Sequence, residues 1–288
     1  MSYIMEKSLT DLRLAVLIDA ENVPRNCIKS VLEEVAKYGT PTIKRIYGDW
    51  TNHSLDGWKT SVLESAITPI QQYSYTQGKN SSDSAMIIDA MDILYTGQTG
   101  GFVIVSSDSD FTRLAIRLRE AGQYVIGVGE QKTPKAFITA CDKFTYIEVI
   151  RANYADAQAE LETAQKGSAG ETTQEQTQEP QPKVGSAPKP VPRDSDVNGK
   201  QKQQKLPRDV VRLIAESVSD LTADDDDAGV FMGELGNLVR RKRPEFDCRN
   251  YGFKSLSAMI KSCDRFSIDF RQTSDPSIKH PYVKDREA

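Results

Sequence analysis

The sequence predicts an α/β fold, a parallel sheet flanked by helices, followed by a second small domain of helices and a β-hairpin. Three observations carry this reading. Short apolar runs rich in Val, Ile, Tyr and Phe alternate with longer helical patterns from Arg13 to about residue 150, a polar segment with no apolar face follows, and helical periodicity returns at Leu206.

The strand candidates are RLAVLID, TIKRIYGD, ITPIQQYS, GFVIVSSD, QYVIGVG and KFTYIEV, each short and bounded by Gly, Pro or Asp. Three helices are expected between them. Asn26 to Lys37 sets Ile28, Val31, Leu32 and Val35 on one face, and Ser82 to Tyr95 does the same with Met86, Ile87, Met91 and Leu94. Phe111 to Ala121, with Leu114, Ala115 and Leu118 inward, stops at Gly122. Alternation of strand and helix implies a parallel sheet with helices on both faces, and in such sheets ligands bind outside the carboxyl ends of the strands.

Residues 156–204, rich in Gln, Glu, Pro, Ser, Gly and Lys, are expected to be a disordered linker. Some 50 residues of this kind span on the order of 40 Å, enough for the two ends to act on one ligand without packing together. Beyond it, helical patterns start at Pro207, at Val230 and at Phe253, and RFSIDF and HPYVK read as strands. Three helices and a hairpin over residues 205–286 outline a winged helix-turn-helix.

Composition narrows the function. Hydrophobic residues are 38% of the chain and charged ones 27%, which fits two folded domains joined by a polar segment. A net charge of −4 argues against coating nucleic acid by bulk positive charge and directs attention to acids that a divalent cation would offset. Four widely spaced cysteines with only two histidines suit neither a zinc site nor a disulfide framework. With no long apolar run and no apolar N-terminal stretch, a cytoplasmic protein without membrane contact is expected.

The acids that fall at strand ends are the candidate site. Asp19 ends the first strand in LIDAEN, Asp108 and Asp110 follow the fourth in IVSSDSDF, and Asp83 opens a helix in GKNSSDSAMIIDAMD. Carboxylates brought together repel one another, and a hard divalent cation such as Mg²⁺ or Mn²⁺ removes that penalty. Such an ion activates water and stabilises charge on a phosphodiester. Asp is also a common helix N-cap, so Asp83 and Asp110 have a capping reading as well, and Asn22 either caps the next helix or orients a ligand. Asp89 is a polar-face residue or a supporting one, and Asp142 is ambiguous. GVGEQKT lacks the third glycine of a dinucleotide loop, and Asp224 to Asp227 lack the later ligands of a calcium loop. A phosphoaspartyl enzyme of the haloacid dehalogenase type needs D-x-D after the first strand, where this chain has Asp19, Ala20 and Glu21.

Four segments, LIDAENV, GKNSSDSAMIIDAMD, VIVSSDSDF and GVGEQKTPKAFITACDKF, resemble the NYN domain family, a branch of the PIN-like nucleases, over residues 11–150. The resemblance implies a PIN-like sheet and a metal-dependent ribonuclease using Mg²⁺ or Mn²⁺, with the family's acids falling on Asp19, Asp83, Asp108 and Asp110 and its asparagine on Asn22. It implies an RNA partner, single-stranded at the nuclease site. Lys79, Ser106 and Ser107, in the same motif loops, are expected to contact phosphate. The stretch GELGNLVRRKRPEFDCRNYGFKSLSAMIKSCDRFSID resembles the LOTUS (OST-HTH) domain, which implies binding of RNA or of a protein partner. There Arg240 and Arg241 either contact phosphate or complement the end of their own helix. The rival reading is a non-catalytic RNA-binding or regulatory adaptor in which the acids are caps.

Overall fold

The computed structural model describes residues 12–73, 81–168, 206–222, 229–272 and 279–287. Its first part is a six-stranded sheet built from β1 (Arg13–Asp19), β2 (Thr40–Gly48), β3 (Thr68–Gln71), β4 (Gly101–Val105), β5 (Tyr124–Gly129) and β6 (Lys143–Tyr146). The strand order is β3-β2-β1-β4-β5-β6, and every pairing is parallel. All six strands expected from the sequence are present.

Among the described residues six α-helices cover this sheet: α1 (Ile28–Val35), α2 (Trp58–Glu64), α3 (Ser81–Thr96), α4 (Thr112–Glu120), α5 (Lys135–Ala140) and α6 (Ile147–Ser168). The central strand shows why the layers form. Leu14, Val16 and Ile18 point to one face and pack with Ile28 and Val31 of α1, Trp58 and Val62 of α2 and Ile147 and Ile150 of α6. Ala15 and Leu17 point to the other, against Met86 and Ala90 of α3, Leu114 and Leu118 of α4 and Phe137 of α5. A strand buried on both faces must be apolar without interruption, as LAVLI is.

The sequence reading missed three helices. Trp58 and Val62 carry the inward face of α2, beside Leu55 from the turn before it, a signal diluted by the polar residues around it. Phe137 and Ile138 anchor α5, which starts directly after Pro134. IEV is not strand: β6 ends at Tyr146 and α6 begins at Ile147. That helix continues to Ser168, into the stretch read as linker. Residues such as Ala, Glu, Gln and Leu are strong helix formers, and polar composition alone does not separate an exposed helix from disorder. The remainder of the expected linker, with Asp224 to Asp227, lies outside the described residues.

The second part holds α7 (Arg208–Leu221), β7 (Val230–Phe231), α8 (Met232–Lys242), α9 (Leu256–Lys261), β8 (Phe266–Gln272) and β9 (Lys279–Asp285). The hairpin is joined by a third strand in the order β7-β9-β8. Val230 and Phe231, read as helical, instead pair with Val283 and Tyr282. The third helix starts later than Phe253, because the Ser255 hydroxyl accepts from the Ala258 N–H and caps it. Val210, Ile214, Leu235, Val239, Met259 and Val283 form this module's own core.

The two parts are in contact. The Phe144 N–H on the open side of β6 donates to the Pro244 carbonyl at 3.1 Å, and the Arg249 guanidinium meets Glu34 of α1 through two hydrogen bonds of 3.0 and 2.7 Å. The expectation that the modules act without packing together is corrected by this pairing. Among the described residues no helix is long and apolar enough to cross a membrane.

Candidate metal centre

The strand order reverses between β1 and β4: the chain builds outward through β2 and β3, then crosses back to β4. Loops leaving the two strands diverge at that point and open a crevice at their carboxyl ends. Asp19 closes β1 there, and the loop after β4 brings Asp108 and Asp110.

Asp19 is buried, and its carboxylate is fully engaged. One oxygen accepts from the backbone N–H groups of Glu21 (3.1 Å) and Asn22 (3.2 Å). The other accepts from Asn22 Nδ2 at 2.9 Å and Ser106 Oγ at 2.8 Å. Asn22 therefore orients Asp19; the helical turn that follows, Arg25–Cys27, has Pro24 as its cap.

Asp83, Asp108 and Asp110 come together. Each offers one carboxylate oxygen, and these oxygens all lie within 4.8 Å of one another. Asp83 sits buried in the first turn of α3, Asp108 is half-buried and Asp110 is exposed, so the cluster opens outward to solvent. Asp108 also caps the turn Ser109–Phe111 by accepting from the Asp110 N–H at 2.9 Å, so a capping role and membership of the cluster coexist in one side chain. Burial, then the neighbouring charges of Asp19, Asp108, Asp110 and Glu21, push the Asp83 carboxyl up to about 7. Three hard oxygen donors that repel one another are a donor set suited to Mg²⁺ or Mn²⁺, whose charge would relieve that repulsion.

The remaining expected residues are placed differently. Ser106 is fully buried, with its hydroxyl donating to Asp19 and accepting from the Asp108 N–H at 3.1 Å, so it holds the acids and does not face a phosphate. Ser107 accepts from the Glu130 N–H at 2.9 Å and ties the loop after β4 to the loop after β5. That bond and its burial take it away from substrate contact. Lys79 lies outside the described residues. Arg240 and Arg241 stand at the end of α8, beside the amino edge of the sheet; one strand length, roughly 15–20 Å, separates that edge from the acids. Asp89 accepts hydrogen bonds from Arg45 and Tyr47 of β2, which fixes α3 on the sheet and leaves no ligand role. Asp142 accepts from Arg119 Nε and from the Val125 N–H, both at 2.9 Å, and is structural.

Sequence reasoning missed Glu21. Its carboxylate accepts from Ser82 Oγ at 3.1 Å, linking the loop after β1 to the start of α3, and its charge adds to the pressure on Asp83. The signal was its place two residues after Asp19.

Two family models match the chain, the NYN domain over residues 13–148 and the OST-HTH/LOTUS domain over residues 201–278. No curated protein matches it. Among solved structures, a Vibrio parahaemolyticus protein of unknown function is similar at 17% identity, covering 49% of this chain and 96% of its own, with a TM-score of 0.41. An uncharacterized Nitrosomonas europaea protein is similar at 27% identity, covering 37% of this chain and 92% of its own, with a TM-score of 0.25. NYN is a nuclease-type domain with a PIN-like fold, and OST-HTH domains bind RNA. With the acid cluster at the reversal point of a parallel sheet and a separate small core beyond it, the chain is an NYN-domain protein with a C-terminal OST-HTH/LOTUS domain.

Proposed function

We propose that this protein is a metal-dependent ribonuclease that hydrolyses RNA phosphodiester bonds in the cytoplasm, with its C-terminal module contributing RNA binding. The observation that carries the reading is the convergence of Asp83, Asp108 and Asp110 to within 4.8 Å at the mouth of the crevice. Without a counter-charge such a cluster repels a polyanion, so acids in this number make sense for RNA only with a bound cation.

Asp83, Asp108 and Asp110 would hold Mg²⁺ or Mn²⁺. When bound, the ion would supply charge neutralisation and Lewis-acid stabilisation of the phosphoryl oxygens. The chain's own residues set the frame. Asp19, locked by Asn22 and Ser106, is a fixed negative charge behind the cluster. Asp110, on the solvent side, faces the direction from which a phosphodiester arrives. Water adds to phosphorus, and the bond to the leaving sugar oxygen breaks; no side-chain nucleophile takes part in this reading. A single strand reaches an open crevice of this kind without unwinding.

The test is cleavage of end-labelled single-stranded RNA and of matched DNA with Mg²⁺, Mn²⁺ or EDTA, using wild type, Asp19→Asn and Asp108→Asn. RNA-selective cleavage that needs the metal and is lost in both variants is expected. Equal behaviour of wild type and variants with RNA binding intact would refute catalysis and leave an RNA-binding adaptor.

A further inference from the structure

Between the two modules, at the amino edge of the parallel sheet, lies a cleft of about 910 Å³. The first module contributes Arg119 and Lys143 to it, and α8 of the second contributes Arg240, Arg241 and Lys242. Asp142 is the one acid in the lining, and it is already bonded to Arg119 and to the Val125 N–H. Arg119 is paired with Asp142 and Lys242 with Asp220, which leaves Lys143, Arg240 and Arg241 without an ion pair among the described residues and makes the concavity positive in a chain whose net charge is −4.

Lys143 gives the cleft its chemical direction. It is only 7% exposed, yet among the described residues its ammonium has no hydrogen-bond acceptor; its nearest partner is the Tyr38 ring, 5.3 Å to the centroid. Its stem is buried while Nζ is not among the buried unpartnered atoms, so the ammonium reaches the solvent of the cleft, and burial of the side chain lowers its pKa despite the charge of Asp247. An anion in the cleft supplies a charged acceptor in place of water. Arg241, exposed and without an ion pair among the described residues, is free to meet the same ligand. Arginine forks and ammonium groups together are the donor set for phosphate oxygens, and Tyr38 and Tyr124 provide aromatic walls for a base. The volume is that of a small-ligand site.

We propose that this interdomain cleft binds a nucleotide through its phosphate, as part of an RNA strand or as a free nucleotide. The site stands apart from the acid cluster. A phosphate held there is not the scissile one, and because the ligand touches both modules it clamps them together. The inference does not depend on the nuclease reading.

The experiment is calorimetric titration of the full chain in EDTA, which keeps cleavage out of the readout, with three probes: a short oligouridylate, uridine monophosphate and inorganic pyrophosphate. The variants are Lys143→Met, Arg241→Gln and, as a surface-charge control on the other edge of the sheet, Lys59→Gln. Affinity is expected to fall about tenfold in each cleft variant, the weight of one charge-assisted hydrogen bond. The control should bind like wild type. For the oligonucleotide, Arg241→Gln should also flatten the slope of log affinity against log salt by about 0.7. Loss confined to the oligonucleotide identifies an RNA strand as the source, and loss shared by the monophosphate or pyrophosphate identifies a free phosphate ligand. If no probe binds, or if Arg241→Gln binds as wild type does, the proposal is overturned. Arg241 is exposed, so its variant decides the matter even if Lys143→Met fails to fold.

Discussion

Replacing Asp83 by Asn should stabilise the metal-free protein at alkaline pH, although it alters a buried side chain. The carboxyl is pushed from 3.8 to about 7 by burial and by the acids around it. Each unit corresponds to about 1.4 kcal/mol, and allowing for screening where the cluster opens to solvent, the penalty for ionised Asp83 is about 2–4 kcal/mol. The sign follows from proton binding. Between pH 4 and 7 the folded state holds a proton that the unfolded state has released, so stability falls as pH rises through that window, and the loss is complete above about 7. Asn removes the charge at nearly the same volume. In EDTA at pH 8, Asp83→Asn should raise the Tm by roughly 5–10 °C, and at pH 5, where the wild-type group is already protonated, the two proteins should melt within a few degrees of each other. Mg²⁺ or Mn²⁺ should raise the wild-type Tm and leave the variant's almost unchanged, because a ligand stabilises only the state that binds it. Scanning calorimetry at the two pH values, with and without metal, reads all of this. Destabilisation by the same amount at pH 5 and pH 8 would refute the reasoning and leave Asp83 as a helix-terminus residue.

Three other perturbations test the supports around the site. Ser106→Ala removes one donor from buried Asp19 and should cost about 1.5–3 kcal/mol in urea unfolding, with slower RNA cleavage at saturating metal. Gly129→Ala would set a Cβ 2.6 Å from the Ser106 carbonyl oxygen and 2.7 Å from Thr133 Oγ1, so a loss of about 1–3 kcal/mol is expected by the same assay. Arg249→Met strips a buried carboxylate of its cross-module partner. Burial alone would raise the Glu34 pKa, but hydrogen bonds from Arg249 and Lys37 hold it at about 2. The stabilisation is therefore present above pH 4.5 and lost as pH falls towards 2. At pH 7 the variant should loosen the modules by about 3 kcal/mol, seen as a larger radius of gyration in solution scattering; an unchanged radius would mean that other contacts hold them.

How much of this was legible in the chain depends on the range of the interaction involved. The six strands and the helices α1, α3 and α4 follow from local periodicity and from stop signals such as Gly122, because each is a short-range match between side-chain pattern and backbone period. The acids at the ends of β1 and β4 follow likewise, since a polar residue after a continuous apolar run marks the end of a strand buried on both faces. The helices α2 and α5 are too short to outweigh the polar residues around them, and α6 runs on through residues that composition alone assigns to a linker.

Pairings between distant segments were beyond the sequence. Ser106 and Ser107 read as phosphate ligands from their loop, and only the packing of β4 against β1 and β5 commits their hydroxyls to Asp19 and the Glu130 N–H. Asp89 and Asp142 look like the metal ligands by residue type, yet Arg45 and Arg119 from other elements satisfy them. By itself the sequence determined the α/β class and the second module and marked Asp19, Asp83, Asp108 and Asp110 as candidate acids, all from local pattern and motif. Tertiary structure alone decided which acids meet, that Glu34 and Arg249 join the modules, and that the basic run of α8 faces the amino edge. Burial and charge proximity are properties of the folded surface, and nothing in the spacing of residues 215 positions apart encodes them.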